Sequence, residues 1–200
     1  MNISLFTQVF VTLFVIMDPV GMVPIFLSLT AGRSAATIKR AAWQAVLVAF
    51  FVIVAFALGG QRLLDYLSVS LPALQCSGGL LLLLVALELL TGNDKEPSAA
   101  ANTNIALVPL GTPLLAGPGA IVATMLFTHR VHHAGDVTAL AAGIIGVHAA
   151  LWLAMRFSLP IQRLLRDSGV MLVTKIAGLL LSAIAVQMVA DSVRAFIKAG

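Results

Sequence analysis

The chain has 200 residues, of which AVILMFWYC make up 60% and DEKR only 10%. A soluble domain carries about 25% charged residues, so this composition excludes a water-solvated enzyme, a disordered chain and a disulfide scaffold, and the mean hydropathy of +1.05 makes lipid the main solvent. The net charge of +4 points to no nucleic acid, because the basic residues lie between apolar runs and build no basic face, and the single Cys76 offers neither an internal disulfide nor a CxxC metal pair.

A bilayer core about 30 Å thick needs about 20 apolar residues per helix. Charge-free windows measured against that length predict six spans, near 5–28, 41–60, 71–91, 105–128, 137–156 and 172–192. The first lacks a basic n-region and is too long for a cleaved signal peptide, so it is expected to stay in the membrane. Within it, Met17-Asp18-Pro19-Val20-Gly21-Met22-Val23-Pro24 is expected to leave helical geometry: proline removes a donor and clashes with the preceding turn, and glycine lowers the cost of departing. The third span carries Gly78 and Gly79, which suit close helix packing, and Glu88, placed where its stem reaches water. A short polar connector, 93–104, precedes the fourth span, which contains a second broken stretch from Val108-Pro109 through Pro113 to Gly117-Pro118-Gly119-Ala120. His129, His132 and His133 follow in a loop with no acid or cysteine at zinc spacing. His148, in the fifth span, reads as a hydrogen-bonded packing residue, with proton relay as the alternative. Gln187 lies in the sixth, and Asp191 at its outer end.

Six spans put both termini on one side. That side holds Arg62, Arg130, Arg194 and Lys198, 4 basic residues against 8 on the other, so the positive-inside rule predicts termini outside the cytoplasm. Gln61-Arg62-Leu63-Leu64 recurs as Gln162-Arg163-Leu164-Leu165, Gly79-Leu80-Leu81-Leu82 as Gly178-Leu179-Leu180-Leu181, and Asp18-Pro19 falls on Gly117-Pro118, all at offsets of 99 to 101. The expected architecture is an all-α polytopic membrane protein of six transmembrane helices. They form two inverted three-helix repeats, 1–92 and 105–200, with helices 1 and 4 broken; an odd number of helices per half makes the second half enter from the opposite face.

Paired Gly/Pro interruptions in corresponding helices point to a transporter site, since irregular backbone in hydrocarbon must line a cavity or be tightly buried. The expected substrate-binding residues are Asp18, Pro19, Gly21, Met22, Pro24, Pro113, Gly117, Pro118 and Gly119. Asp18 reads either as a cap of the half-helix after Pro19 or as a ligand for a substrate ammonium or a coupling cation. No nucleophile–base pair, P-loop or metalloprotease motif is present, so neither an enzyme nor a cofactor is expected.

Asp18-Pro19-Val20-Gly21-Met22-Val23-Pro24-Ile25-Phe26 followed by Pro113-Leu114-Leu115-Ala116-Gly117-Pro118-Gly119-Ala120-Ile121 resembles the paired signature of the MarC-type inner-membrane family, also classed as a neutral amino acid transporter group of the lysine-exporter superfamily. The resemblance covers the whole chain, including helix count, outward termini and Gln187-Met188 in the last helix. Met22 departs from it, standing where members commonly carry Asn, and Ser192 stands where glycine is common. The resemblance implies a bacterial inner-membrane protein with periplasmic termini that transports small neutral amino acids such as glycine or alanine. Alternating access would be coupled to H+ or Na+, with the lipid bilayer as its surroundings and no nucleic-acid partner. A non-transporting scaffold and a proton- or cation-conducting protein using Asp18 and His148 are the alternatives.

Overall fold

The computed structural model describes residues 2–30, 32–91 and 115–199, and every regular element among them is helical. In chain order these are α1 (Ile3–Met17), α2 (Met22–Leu29), α3 (Ala35–Tyr66), α4 (Leu71–Thr91), α5 (Pro118–Thr128), α6 (Ala134–Arg156) and α7 (Ser158–Ala199). Four stretches are long and apolar enough to cross a bilayer, Ala35–Leu67, Leu71–Thr91, Ala134–Arg156 and Met171–Lys198, accompanied by the shorter apolar helices Ile3–Met17 and Gly119–Thr128. Of the six expected spans, the first and fourth, the two expected to be broken, are those that do not reach this length among the described residues. The breaks are the reason: α1 has 15 residues, which at 1.5 Å per residue reach about 22 Å of a core about 30 Å thick. Residues 105–114 of the expected fourth span, and the 93–104 connector, lie outside the described residues.

Helix ends depart from the charge-free windows because charge does not stop a helix. α4 coincides with the expected 71–91. α3 begins at Ala35 rather than 41, capped by Ser34, whose Oγ accepts from the Thr37 amide at 3.3 Å; Lys39 and Arg40 are exposed in its early turns. α7 begins at Ser158 rather than 172 and runs for 42 residues. Pro160 falls in its first turn, where a missing N–H sacrifices no ladder bond, so the charged stretch 163–167 continues the helix instead of connecting two.

Between helices in lipid the hydrophobic drive is weak, and close approach of small residues takes its place. α1 buries Leu5, Val9, Leu13 and Met17, one residue per turn. It lies on α6, where Gly143 leaves room for Val9 and Gly146 for Phe10. Where both helices start, the Asn2 amide donates to the Gly135 carbonyl at 3.2 Å and Asn2 Nδ2 to Asp136 Oδ1 at 2.9 Å, so α1 and α6 run in the same direction. α3 buries Ala41, Ala45, Ala49 and Ile53 and meets α6 through Trp43 against Trp152 and Phe50 against His148. Its last turns lie beside the end of α5, with Gly60 against Met125 and Gln61 hydrogen-bonded to His129. α5 ends where α1 begins, since Arg130 Nη1 donates to Gln8 Oε1 at 3.4 Å. α1 and α5 consequently run in opposite directions.

A second apolar cluster joins α4, α5 and α7 through Leu82, Ala86, Val122, Leu181, Ala185 and Met188. Its seam is reciprocal. A Cβ added at Gly79 would meet the Ala185 carbonyl oxygen at 2.9 Å, and one added at Gly178 would meet the Ala86 carbonyl oxygen at 3.3 Å. Gly79 and Gly178 are 99 residues apart, as are Ala86 and Ala185, and Leu82 and Leu181. The offset visible in the sequence thus also relates the contacts of an antiparallel helix pair.

Candidate functional site

α1 ends at Asp18, which adopts the left-handed conformation (φ 38°, ψ 71°) and whose amide still donates to the Phe14 carbonyl at 3.0 Å. Asp tolerates this region better than most residues because its short polar side chain can bond locally. Here Oδ1 accepts from the Gly21 amide at 3.1 Å, and the Asp18 carbonyl accepts from Met22 at 3.0 Å. The carboxylate therefore caps the entry to α2. Its other oxygen, Oδ2, is buried without a hydrogen-bond partner. Gly21 is required at this point: a Cβ there would fall on Asp18 Oδ2 and approach Thr174 Oγ1 of α7 to 3.1 Å. Pro19, Gly21 and Met22 are buried, and Met22 belongs to the apolar core with Met17 and Phe26 rather than to a polar surface. The break is narrower than the sequence implies. Pro24 lies inside the first turn of α2, where its amide would be unpaired anyway, and the Val20 carbonyl it might have freed accepts from Val23 at 3.1 Å.

The matching position opens α5. Gly117 is its N-cap in extended geometry (φ −62°, ψ 164°) with no side-chain cap, and Pro118 is the first helical residue, where a fixed φ suits the helix start. Gly119 and Ala120 are buried, and among the described residues their amides donate to no acceptor. Gly119 packs on Leu82 of α4. Pro113 lies outside the described residues. The two half-helix starts share one apolar core, which includes Met17 and Met22 on one side and Leu115, Ala116 and Ala120 on the other.

Other polar groups are taken up structurally. His148 Nδ1 lies 2.7 Å from the Ile144 carbonyl, which requires that nitrogen to carry the proton, and the ring stands edge-on to Phe50 at 5.3 Å; Nε2 is buried without a hydrogen bond of ordinary geometry. Ser192, fully buried, returns its hydroxyl to the Val189 carbonyl at 2.7 Å. Gly78 and Gly79 serve packing, against Val122 and Ala185, and Glu88 is exposed. Asp136, which sequence patterning did not single out, accepts from the His132 and His133 amides at 3.2 and 3.3 Å and ties Asn2 to α6. Also unanticipated is a cavity of about 390 Å³ at the end where α1 starts, between α1, α4, α5 and α7. Its α1 wall stops at Thr12; Val15 and Ile16, packed on the second apolar cluster, separate it from Asp18.

The family model for MarC family integral membrane proteins matches residues 3–197. A UPF0056 membrane protein of Aquifex aeolicus is 34% identical over 202 residues, covering 97% of this chain and 94% of the relative. One of Methanocaldococcus jannaschii is 34% identical over 201 residues, covering 97% and 98%. The UPF0056 inner membrane protein YhgN of Escherichia coli is 29% identical over 190 residues, covering 94% and 95%. No solved structure matches the chain. With the match running almost end to end and relatives above 30% identity, the chain belongs to the MarC family of integral membrane proteins.

Proposed function

We propose that the chain is a secondary transporter of small neutral amino acids, of the glycine or alanine type, in which two inverted three-helix halves rock about the two half-helix starts. The observation that carries this reading is the pairing, 99 residues apart, of Asp18, with one buried unpartnered oxygen, and Gly117, the N-cap whose missing side chain leaves the Gly119 and Ala120 amides uncapped. Free amides at a helix N-terminus attract a carboxylate, and a half-satisfied intramembrane acid attracts an ammonium or a coupling cation. A zwitterion supplies both groups. The opposed directions of α1 and α5 and the reciprocal glycine contacts of α4 and α7 support the inversion. The distribution of basic residues supports periplasmic termini in a bacterial inner membrane, and Asp18 is the group through which H+ or Na+ would couple. With no reacting constellation among its motifs, the chain reads as a carrier and not as an enzyme.

Counterflow of labelled glycine and alanine in proteoliposomes tests this reading. Wild type should exchange label, and Asp18→Asn, which keeps the cap geometry but removes the charge, should fold with wild-type yield and lose exchange or its ion dependence. Unaltered flux with unaltered ion dependence in Asp18→Asn overturns the role of Asp18. Absence of flux with any small amino acid under either ion gradient overturns the carrier and favours a scaffold.

A further inference from the structure

We infer that the cavity at the end where α1 starts is a second, shallower binding site for a small zwitterion, with Arg130 receiving the anionic group and Asp191 the ammonium. The class of ligand rests on the carrier reading; the existence of the site does not. The cavity, about 390 Å³, is lined by apolar residues of α5 and α7 and by polar side chains from three helices and the turn after α5: Gln8 and Thr12 of α1, Gln75 of α4, Arg130 just after α5, and Gln187 and Asp191 of α7. Its size is near the lower limit for small-molecule pockets and suits a solute of a few heavy atoms.

Both charges are held in place. The Arg130 guanidinium donates to Gln8 Oε1 at 3.4 Å and lies 5.6 Å from the centre of the Phe127 ring, a cation–π geometry that fixes its plane. Asp191 Oδ1 accepts from Gln187 Nε2 at 2.8 Å and lies 3.7 Å from Arg194 Nη1. That is the sole ion pair among the described residues, so Arg130 stands without a carboxylate partner there. Gln75 and Thr12 make no side-chain hydrogen bond to the described residues and remain available to a ligand. A plain anion entering would meet Asp191, and a plain cation would meet Arg130. A molecule carrying opposite charges a few ångströms apart satisfies both walls and is selected over either half.

The test uses the full chain in phosphatidylcholine nanodiscs with radiolabelled L-alanine. Saturable binding is expected, displaced by glycine but not by an equal excess of propionate or ethylamine, which each carry half of the chemistry. Arg130→Gln and Asp191→Asn should each weaken binding about tenfold, Arg130→Lys should weaken it less, and all three should elute and melt like wild type. Glu88→Gln, at an exposed carboxylate that does not line the cavity, should leave this binding in place. Binding unaffected by Arg130→Gln and Asp191→Asn, or lost only in Asp18→Asn, overturns the shallow site. Displacement by propionate or ethylamine as readily as by glycine overturns its zwitterion chemistry, and displacement by phosphoethanolamine ahead of glycine reassigns it to a lipid headgroup. Intact alanine binding without any counterflow leaves this site standing and overturns the carrier; counterflow without binding at Arg130 and Asp191 does the reverse.

Discussion

The two halves of the chain are alike where they pack and unlike where they break. At the α4–α7 seam, glycines 99 residues apart each face a carbonyl of the opposite helix, Gly79 toward Ala185 and Gly178 toward Ala86. Symmetry there is what packing demands: an antiparallel pair of small residues satisfies both helices with one geometry. At the half-helix starts the same offset sets an acid against a glycine. Asp18 caps α2 and keeps one oxygen spare, whereas Gly117 leaves the amides of α5 open. A two-fold device serving structure alone would carry the same cap twice. The difference leaves a carboxyl at one half-helix start and free donors at the other, the two groups that the proposed zwitterion would need.

The seam supplies the largest expected effect. A methyl at Gly79 would press on backbone, the Ala185 carbonyl oxygen, and on Val189 at 2.9 Å. Overpacking of that kind costs about 1–3 kcal/mol, more than the about 1 kcal/mol that alanine gains over glycine within a helix. Gly79→Ala should therefore lower the melting temperature of the detergent-purified protein, and an unchanged or raised value would break the seam as described. Next comes the cap: Asp18→Ala removes the Gly21 partner and should cost about 0.5–2 kcal/mol, while Asp18→Asn costs less, a ranking read from the same melting curves. Gly178→Ala should have a smaller effect still, because its neighbours, Leu89 Cβ at 3.0 Å, Leu90 Cγ at 3.2 Å and the Ala86 carbonyl oxygen at 3.3 Å, stand farther off than those at Gly79 and need shift only by a few tenths of an ångström. Strain and helix propensity then nearly cancel. Equal losses at Gly79 and Gly178 would show the seam to be more symmetric than this packing.

The break in the first span is legible because Asp18, Pro19 and Gly21 are each poor in a helix for a separate local reason, and local reasons survive without tertiary context. Its width is not. Pro24 counts as a breaker in a pattern, yet in the first turn of α2 it does no harm. The start of α7 is obscured in the same way, since Arg163 and Arg166 end an apolar window but not a helix. The shallow cavity is harder to foresee. Gln8 and Gln75 look like isolated polar residues, and Arg130 looks like a topology signal, until four helices from both halves bring them to one place. The only local hint is spacing: Gln8 with Thr12, and Gln187 with Asp191, each fall one turn apart on a single helix face.

The smallest expected change in stability is also the sharpest test of the asymmetry. Gly117 already has the backbone of an N-cap, so Gly117→Asp requires no rearrangement of φ and ψ, and its carboxylate can accept from the amides that follow Pro118. Replacing glycine by a capping acid at this position is worth only a few tenths of a kcal/mol, in the stabilising direction. Melting should accordingly rise slightly or stay level. On the proposed carrier reading, transport should fail, because the new carboxylate occupies the donors that a substrate carboxylate would use. A variant at least as stable as wild type, folded and inactive, would separate the chemical role of the open helix end from any packing role of Gly117. Full counterflow activity in the same variant would mean that the α5 amides hold nothing in the transport cycle, and that the difference between Asp18 and Gly117 serves the fold alone.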